Sequence, residues 1–126
     1  MKKLTPVLIV DSVEAQLPFW CERLEFQVVA SVPHEKALGF AILVQGGVEL
    51  MLQSRASVAV DNPAALERPS HSTLFFEVED LDRVRRALAG LPLVFDERET
   101  PYGARESCVR DPAGNTLVFA HFANAT

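Results

Sequence analysis

The chain has 126 residues, 48% apolar and 23% charged, with a net charge of −5. That length suits one globular domain, or two small halves sharing a core, and no apolar run approaches the roughly 20 residues needed to span a bilayer. The basic residues are scattered, only Arg83, Arg85 and Arg86 lying close together, which excludes the concentrated basic face that nucleic acid requires.

The N-terminus, Met1–Pro6, carries the lysines of a signal peptide's start. It lacks an apolar h-region and a small-residue cleavage site, so cytoplasmic residence is expected. Cys21 and Cys108 have no CxxC spacing and read as buried free thiols.

Leu4–Val10 is a short apolar, β-branched run and reads as a strand, with an edge or gap at Pro6. Asp11 and Ser12 cap a helix, and Glu14 three residues after Asp11 gives a capping-box-like start. Val13, Leu17, Trp20 and Leu24 share one helical face, and Pro18 should kink or shorten the helix. Glu25–Val32 returns as a strand, followed by a polar turn at Pro33–Lys36. Leu38–Val44 and Val48–Gln53 form a hairpin around Gln45-Gly46-Gly47. Residues 54–70 read as a connector, with at most a helical turn at Ala64–Glu67.

The pattern then begins again. Thr73–Val78 is a strand, and Asp80 opens a helix with Leu81, Val84, Leu88 and Leu91 on one face. Leu93–Phe95 starts a strand, and Glu97–Gly103 is a loop or irregular strand. Glu106–Arg110 and Thr116–Phe119 close a hairpin over Asp111-Pro112-Ala113-Gly114-Asn115. Pro112 presets φ for that turn and Gly114 supplies a left-handed residue. Val10–Glu14 matches Val78–Asp82 at an offset of 68, and Gly47–Met51 matches Gly114–Val118 at an offset of 67. A β-α-β-β-β unit therefore occurs twice, at about 1–54 and 71–126, within a single domain joined by a connector at about 55–70.

Val10–Ala15 with Phe19-Trp20, Phe76–Asp82, Thr100–Gly103 with Arg105, and Val109–Asn115 with Leu117 and Phe119 carry a likeness over nearly the whole chain. The sequence resembles the vicinal oxygen chelate superfamily of glyoxalases, bleomycin-resistance proteins, extradiol dioxygenases and fosfomycin-resistance enzymes. The resemblance implies an α+β fold of two βαβββ modules, mixed sheets curled around a cavity with helices on the convex side. It also implies a homodimer.

Metal-dependent members of that superfamily take one ligand from the first and one from the last strand of each module. The resemblance maps those ligands onto Thr5, Met51, Thr73 and Val118. Two hydroxyls, a thioether and an isopropyl group do not make a site for a divalent transition metal. A register shifted by two gives Lys3, Glu49, His71 and Thr116, in which Glu49 and His71 are the possible ligands. No metal and no cofactor are expected.

Strand alternation places Val7 and Ile9 with Thr5, Glu49 and Gln53 with Met51, Phe75 and Glu77 with Thr73, and Thr116 and Ala120 with Val118. The opposite faces, with Leu8, Val10, Leu50, Leu52, Leu74, Phe76, Leu117 and Phe119, are strongly apolar, as helix-packed faces are. The first set then lines a pocket that is apolar with a few polar groups. Glu49 and Glu77 read either as an acidic wall for a cationic ligand or as strand-end residues facing solvent or paired with arginine. Tyr102 and Arg105, just before the hairpin, read as groups at the cavity mouth or as sheet-edge packing and a surface ion pair. Candidate ligand-binding residues are thus Thr5, Glu49, Met51, Thr73, Phe75, Glu77, Tyr102, Arg105 and Val118. The expected function is metal-independent binding of a small molecule, with sequestration of a cationic or aromatic compound. The alternatives are a metal-dependent glyoxalase- or dioxygenase-like enzyme and a metal-free lyase or isomerase using a cavity carboxylate.

Overall fold

The computed structural model describes residues 1–69 and 71–123. The chain divides into two compact units, Met1–Ser70 and His71–Thr126. The described residues form two four-stranded mixed sheets and three α-helices, an α+β architecture. Among the described residues no helix is long and apolar enough to cross a membrane.

In the first unit, β1 (Val7–Val10) is followed by α1 (Val13–Leu17), β2 (Gln27–His34), β3 (Ala37–Gln45) and β4 (Val48–Ser54). The sheet order is β1-β4-β3-β2, with β1 and β4 parallel. Ser12 caps α1 by accepting from the Ala15 amide. The expected capping box does not close, because Glu14 accepts instead from the Leu38 amide at the start of β3. α1 stops where Pro18 removes a donor and crowds the preceding turn. A π-helical turn, Pro18–Arg23, continues the path, with the Leu24 amide bonded to the Phe19 carbonyl. That turn swings Phe19 and Trp20 inward, where Trp20 meets Phe19 and Phe26 edge-on.

The connector is more ordered than its sequence suggests. Ser54 caps α2 (Arg55–Asp61), and a 3-10 turn covers Pro63–Glu67. The 3-10 turn falls where a helical turn is expected. α2 escapes notice because Arg55–Asp61 shows weak periodicity and two β-branched valines.

The second unit repeats the order: β5 (Thr73–Glu77), α3 (Leu81–Ala87), β6 (Leu93–Glu99), β7 (Ala104–Arg110) and β8 (Thr116–Phe122), arranged β5-β8-β7-β6. The parallel register reproduces the repeat read from sequence. Val7 pairs with Met51, and their equivalents 68 and 67 residues later, Phe75 and Val118, pair with each other.

The β7–β8 turn is built by its side chains. Asp111 accepts from the Ala113 and Asn115 amides and from the Asn115 side chain. Asn115 in turn accepts from the Ser72 amide, so the turn holds the chain just before β5. Gly114 sits at φ +91°, as the turn requires.

Burial alternates cleanly between two faces in the first sheet, whereas in the second β7 and β8 are buried on both, Glu106, Cys108, Val118 and Ala120 lying opposite the helix-facing residues. Leu8, Val10, Ala41, Leu43, Leu50 and Leu52 are buried in the first, and Val109, Leu117 and Phe119 in the second. These are the apolar faces expected to pack under helices.

Candidate functional site

Each unit has a sheet face turned away from its helix-packed side. In the first, Thr5, Glu49 and Met51 come together, with Val7, Ile9 and Gln53 on the same face. The Thr5 hydroxyl donates to Glu49 at 3.1 Å, and Lys3 Nζ lies 3.0 Å from the other carboxylate oxygen. The Lys3 hydrogen bond holds the Glu49 carboxyl below its ordinary range, helped by Thr5 and opposed by partial burial.

In the second unit, Thr73, Phe75, Glu77 and Val118 share a face. Directly paired residues point to the same side, so the register extends that face across all four strands. One row runs Glu77, Ala120, Glu106, Arg98. The next runs Phe75, Val118, Cys108, Phe95, and beyond it lie Thr73, Thr116 and Arg110. Phe122 completes the face, its ring 6.4 Å from Phe75 and 6.0 Å from Tyr102.

Glu106 dominates this face. Its side chain is 0% exposed. Arg98 donates to Oε1 through Nε and Nη2, each at 3.1 Å, and the Tyr102 hydroxyl donates to Oε2. A carboxylate taken wholly out of water is tolerable only with such partners. Arg98 also lies over the Phe95 ring, 4.0 Å from its centroid. Tyr102 is held 57% exposed on the turn between β6 and β7, and the bond to Glu106 raises its pKa.

Tyr102 therefore belongs with the expected set. Arg105 does not join it. Arg105 pairs with His121 on the other face, where it binds Glu97 at 2.5 Å and Asp82 of α3 at 3.1 Å. Its guanidinium ties α3 to β6. Glu106, Arg98, Phe95 and Phe122 are absent from the residues picked out by sequence. The signal for Glu106 is the hairpin register, which sets Cys108 opposite Val118 and so turns Glu106 to the same side. Arg98 carries no such signal. Between Phe95 and Arg98 the β6–β7 register shifts, two residues on β6, Asp96 and Glu97, standing opposite one on β7, Ser107. That bulge brings a side chain of the wrong parity onto the face.

A metal fits neither face. The positions onto which the resemblance maps superfamily ligands hold Thr5 and Met51 in one unit and Thr73 and Val118 in the other. Glu49 is engaged by Lys3 and Thr5, and both Glu106 oxygens by Arg98 and Tyr102. Burial pushes the Cys108 thiol up, away from the thiolate a metal would bind. Among the described residues no three His, Cys, Asp or Glu side chains gather closely enough to hold an ion.

Residues 4–119 match the family model of the Glyoxalase/Bleomycin resistance protein/Dioxygenase superfamily. The chain belongs to this superfamily. A glyoxalase/bleomycin resistance protein/dioxygenase from Nocardioides has the same fold at 20% identity, with a TM-score of 0.73 over 100% of this chain and 87% of that one. TioX from Micromonospora sp. ML1 is 17% identical, with a TM-score of 0.75 over 95% of this chain and 98% of that one. Lactoylglutathione lyase from Agrobacterium tumefaciens is 18% identical, with a TM-score of 0.72 over 96% and 94%. No curated protein sequence matches. At these identities the neighbours establish the fold, which in this superfamily carries both enzymes and binding proteins.

Proposed function

We propose that this superfamily member binds a small aromatic cation, without a metal, at the exposed β5 side of the second sheet, on the face turned away from α3. The observation that carries the reading is the company of Glu77. It is an exposed carboxylate with no ion-pair partner among the described residues. On its face stand the exposed rings of Phe75 and Tyr102, 52% and 57% accessible, with Phe122 between them. A carboxylate beside aromatic faces attracts a cation through both the charge and the ring quadrupoles. Glu106 is already matched by Arg98. Arg110 lies two rows from Glu77, about 13 Å along the strands at about 3.3 Å per residue. That exceeds the Debye length of about 8 Å in physiological salt, so Glu77 acts largely alone.

Calorimetric titration with benzamidinium, in buffer with and without EDTA, tests the proposal. Saturable binding that is indifferent to EDTA and weakened in Phe75→Ala and Glu77→Gln supports it. Binding unchanged in both variants, or a stoichiometric transition metal in protein purified without chelator, overturns it. The free Glu77 carboxylate also favours a second reading, a metal-free isomerase or lyase with Glu77 as base. Its signature is Glu77→Gln losing turnover while keeping affinity.

A further inference from the structure

The opposite side of the second sheet holds a cleft that the proposed function does not use. We infer that this cleft, between α3 and β7–β8, binds a small neutral aromatic molecule carrying one hydrogen-bonding group, of the phenol type. Its volume is about 140 Å³. That is close to the roughly 150 Å³ of an apolar cavity that takes up benzene. Leu88 and Leu91 form one wall, and Val109 and Phe119 the other. Phe119 is fixed by stacking on Phe76, ring centroids 5.0 Å apart.

The polar content of the cleft selects the occupant. Ser107 lines it, and its hydroxyl, which makes no hydrogen bond among the described residues, is open to the cleft rather than sealed in the core. A hydroxyl facing an otherwise largely apolar cleft both donates and accepts. One hydroxyl on a planar ring is the complement this site lacks. At the rim, Arg85 and Asp96 are already joined at 2.5 Å, with Glu97 and Asp82 adding to the guanidinium's shell. Neither charge is left for the ligand, so a neutral molecule is preferred over a phenolate or an anilinium.

Heteronuclear NMR titration with phenol and with toluene tests the inference. Phenol is expected to produce saturable shifts at Leu88, Leu91 and Ser107, leaving Phe75 and Phe122 unmoved. Ser107→Ala should weaken phenol roughly fivefold, the value of one neutral hydrogen bond, and leave toluene unchanged. Leu91→Phe, outside α3 and the strands, fills the cleft and should abolish binding of both. Equal phenol affinity in Ser107→Ala, unimpaired binding in Leu91→Phe, or shifts confined to Phe75 and Phe122 would each overturn it. The aromatic-cation proposal concerns the other face, so either can fail alone.

Discussion

Tyr102 donates its hydroxyl to Glu106, four residues along the chain and with no exposed side-chain surface. The phenol bonds best to the ionised carboxylate while it keeps its own proton, so its pKa is raised, first by this bond and then by burial. Tyr102 is the chain's single tyrosine, which makes the pair directly observable. Alkaline titration followed by phenolate absorbance should give a midpoint above the ordinary tyrosine range. In Glu106→Gln the midpoint should fall back toward it. The raised value also means that this bond stabilises the fold below the ordinary tyrosine pKa and is lost as pH rises through the folded one. A midpoint indifferent to Glu106→Gln would refute the pairing.

Removing Glu106 should cost stability beyond the lost contacts. Glu106→Ala leaves a cavity among buried neighbours and strips Arg98 and Tyr102 of their acceptor. A loss of about 2–4 kcal/mol in denaturant unfolding is expected, with Glu106→Gln milder because it keeps the volume and one acceptor. Equal stability of wild type and Glu106→Ala would show the carboxylate to be solvated.

Glu49 makes the opposite pH signature. Lys3 lowers its pKa in the folded chain, so its contribution is present above the ordinary carboxylate value and lost as pH falls through the lowered one. The stability difference between wild type and Glu49→Gln should therefore hold near neutrality and vanish in acid. High salt should shrink it, because Lys3 is mostly exposed. A difference that grows in acid would contradict the Lys3 assignment.

Gly114→Ala tests the hairpin turn. The position has φ +91°, and a Cβ there would meet the His71 ring at 3.1 Å. A destabilisation of about 1–2 kcal/mol is expected from the left-handed backbone alone. In the double variant with His71→Ala, the contact contribution should disappear and the backbone part remain. An unchanged denaturation midpoint in Gly114→Ala would mean that the turn relaxes.

The repeat was legible because it is written locally. Asp111, Gly114 and Asn115 specify a turn by their own short hydrogen bonds, and two-residue alternation sorts Leu50 and Leu52 from Glu49 and Met51 without reference to any other strand. Ser12, Ser54 and Asp80 cap helices within three residues of themselves. Where a local rule met a distant competitor, the distant one decided. Glu14 has capping-box spacing, but the Leu38 amide, 24 residues on, takes its carboxylate.

Sequence alone determined the superfamily likeness, the doubled βαβββ order and which strand positions face helices, since periodicity and turn chemistry are properties of neighbouring residues. The resemblance maps the superfamily's metal-ligand positions onto Thr5, Met51, Thr73 and Val118, whose side chains are not the usual ligands. Tertiary structure decided the fate of the charged groups. Glu106 and Arg105 are adjacent in the chain, yet one is sealed against Arg98 on the face away from α3 and the other braces α3 through Asp82. Whether a charge is buried, paired or left free depends on which side chain arrives from another strand. At Arg98 that depended on a bulge in β6, which no period in the sequence records.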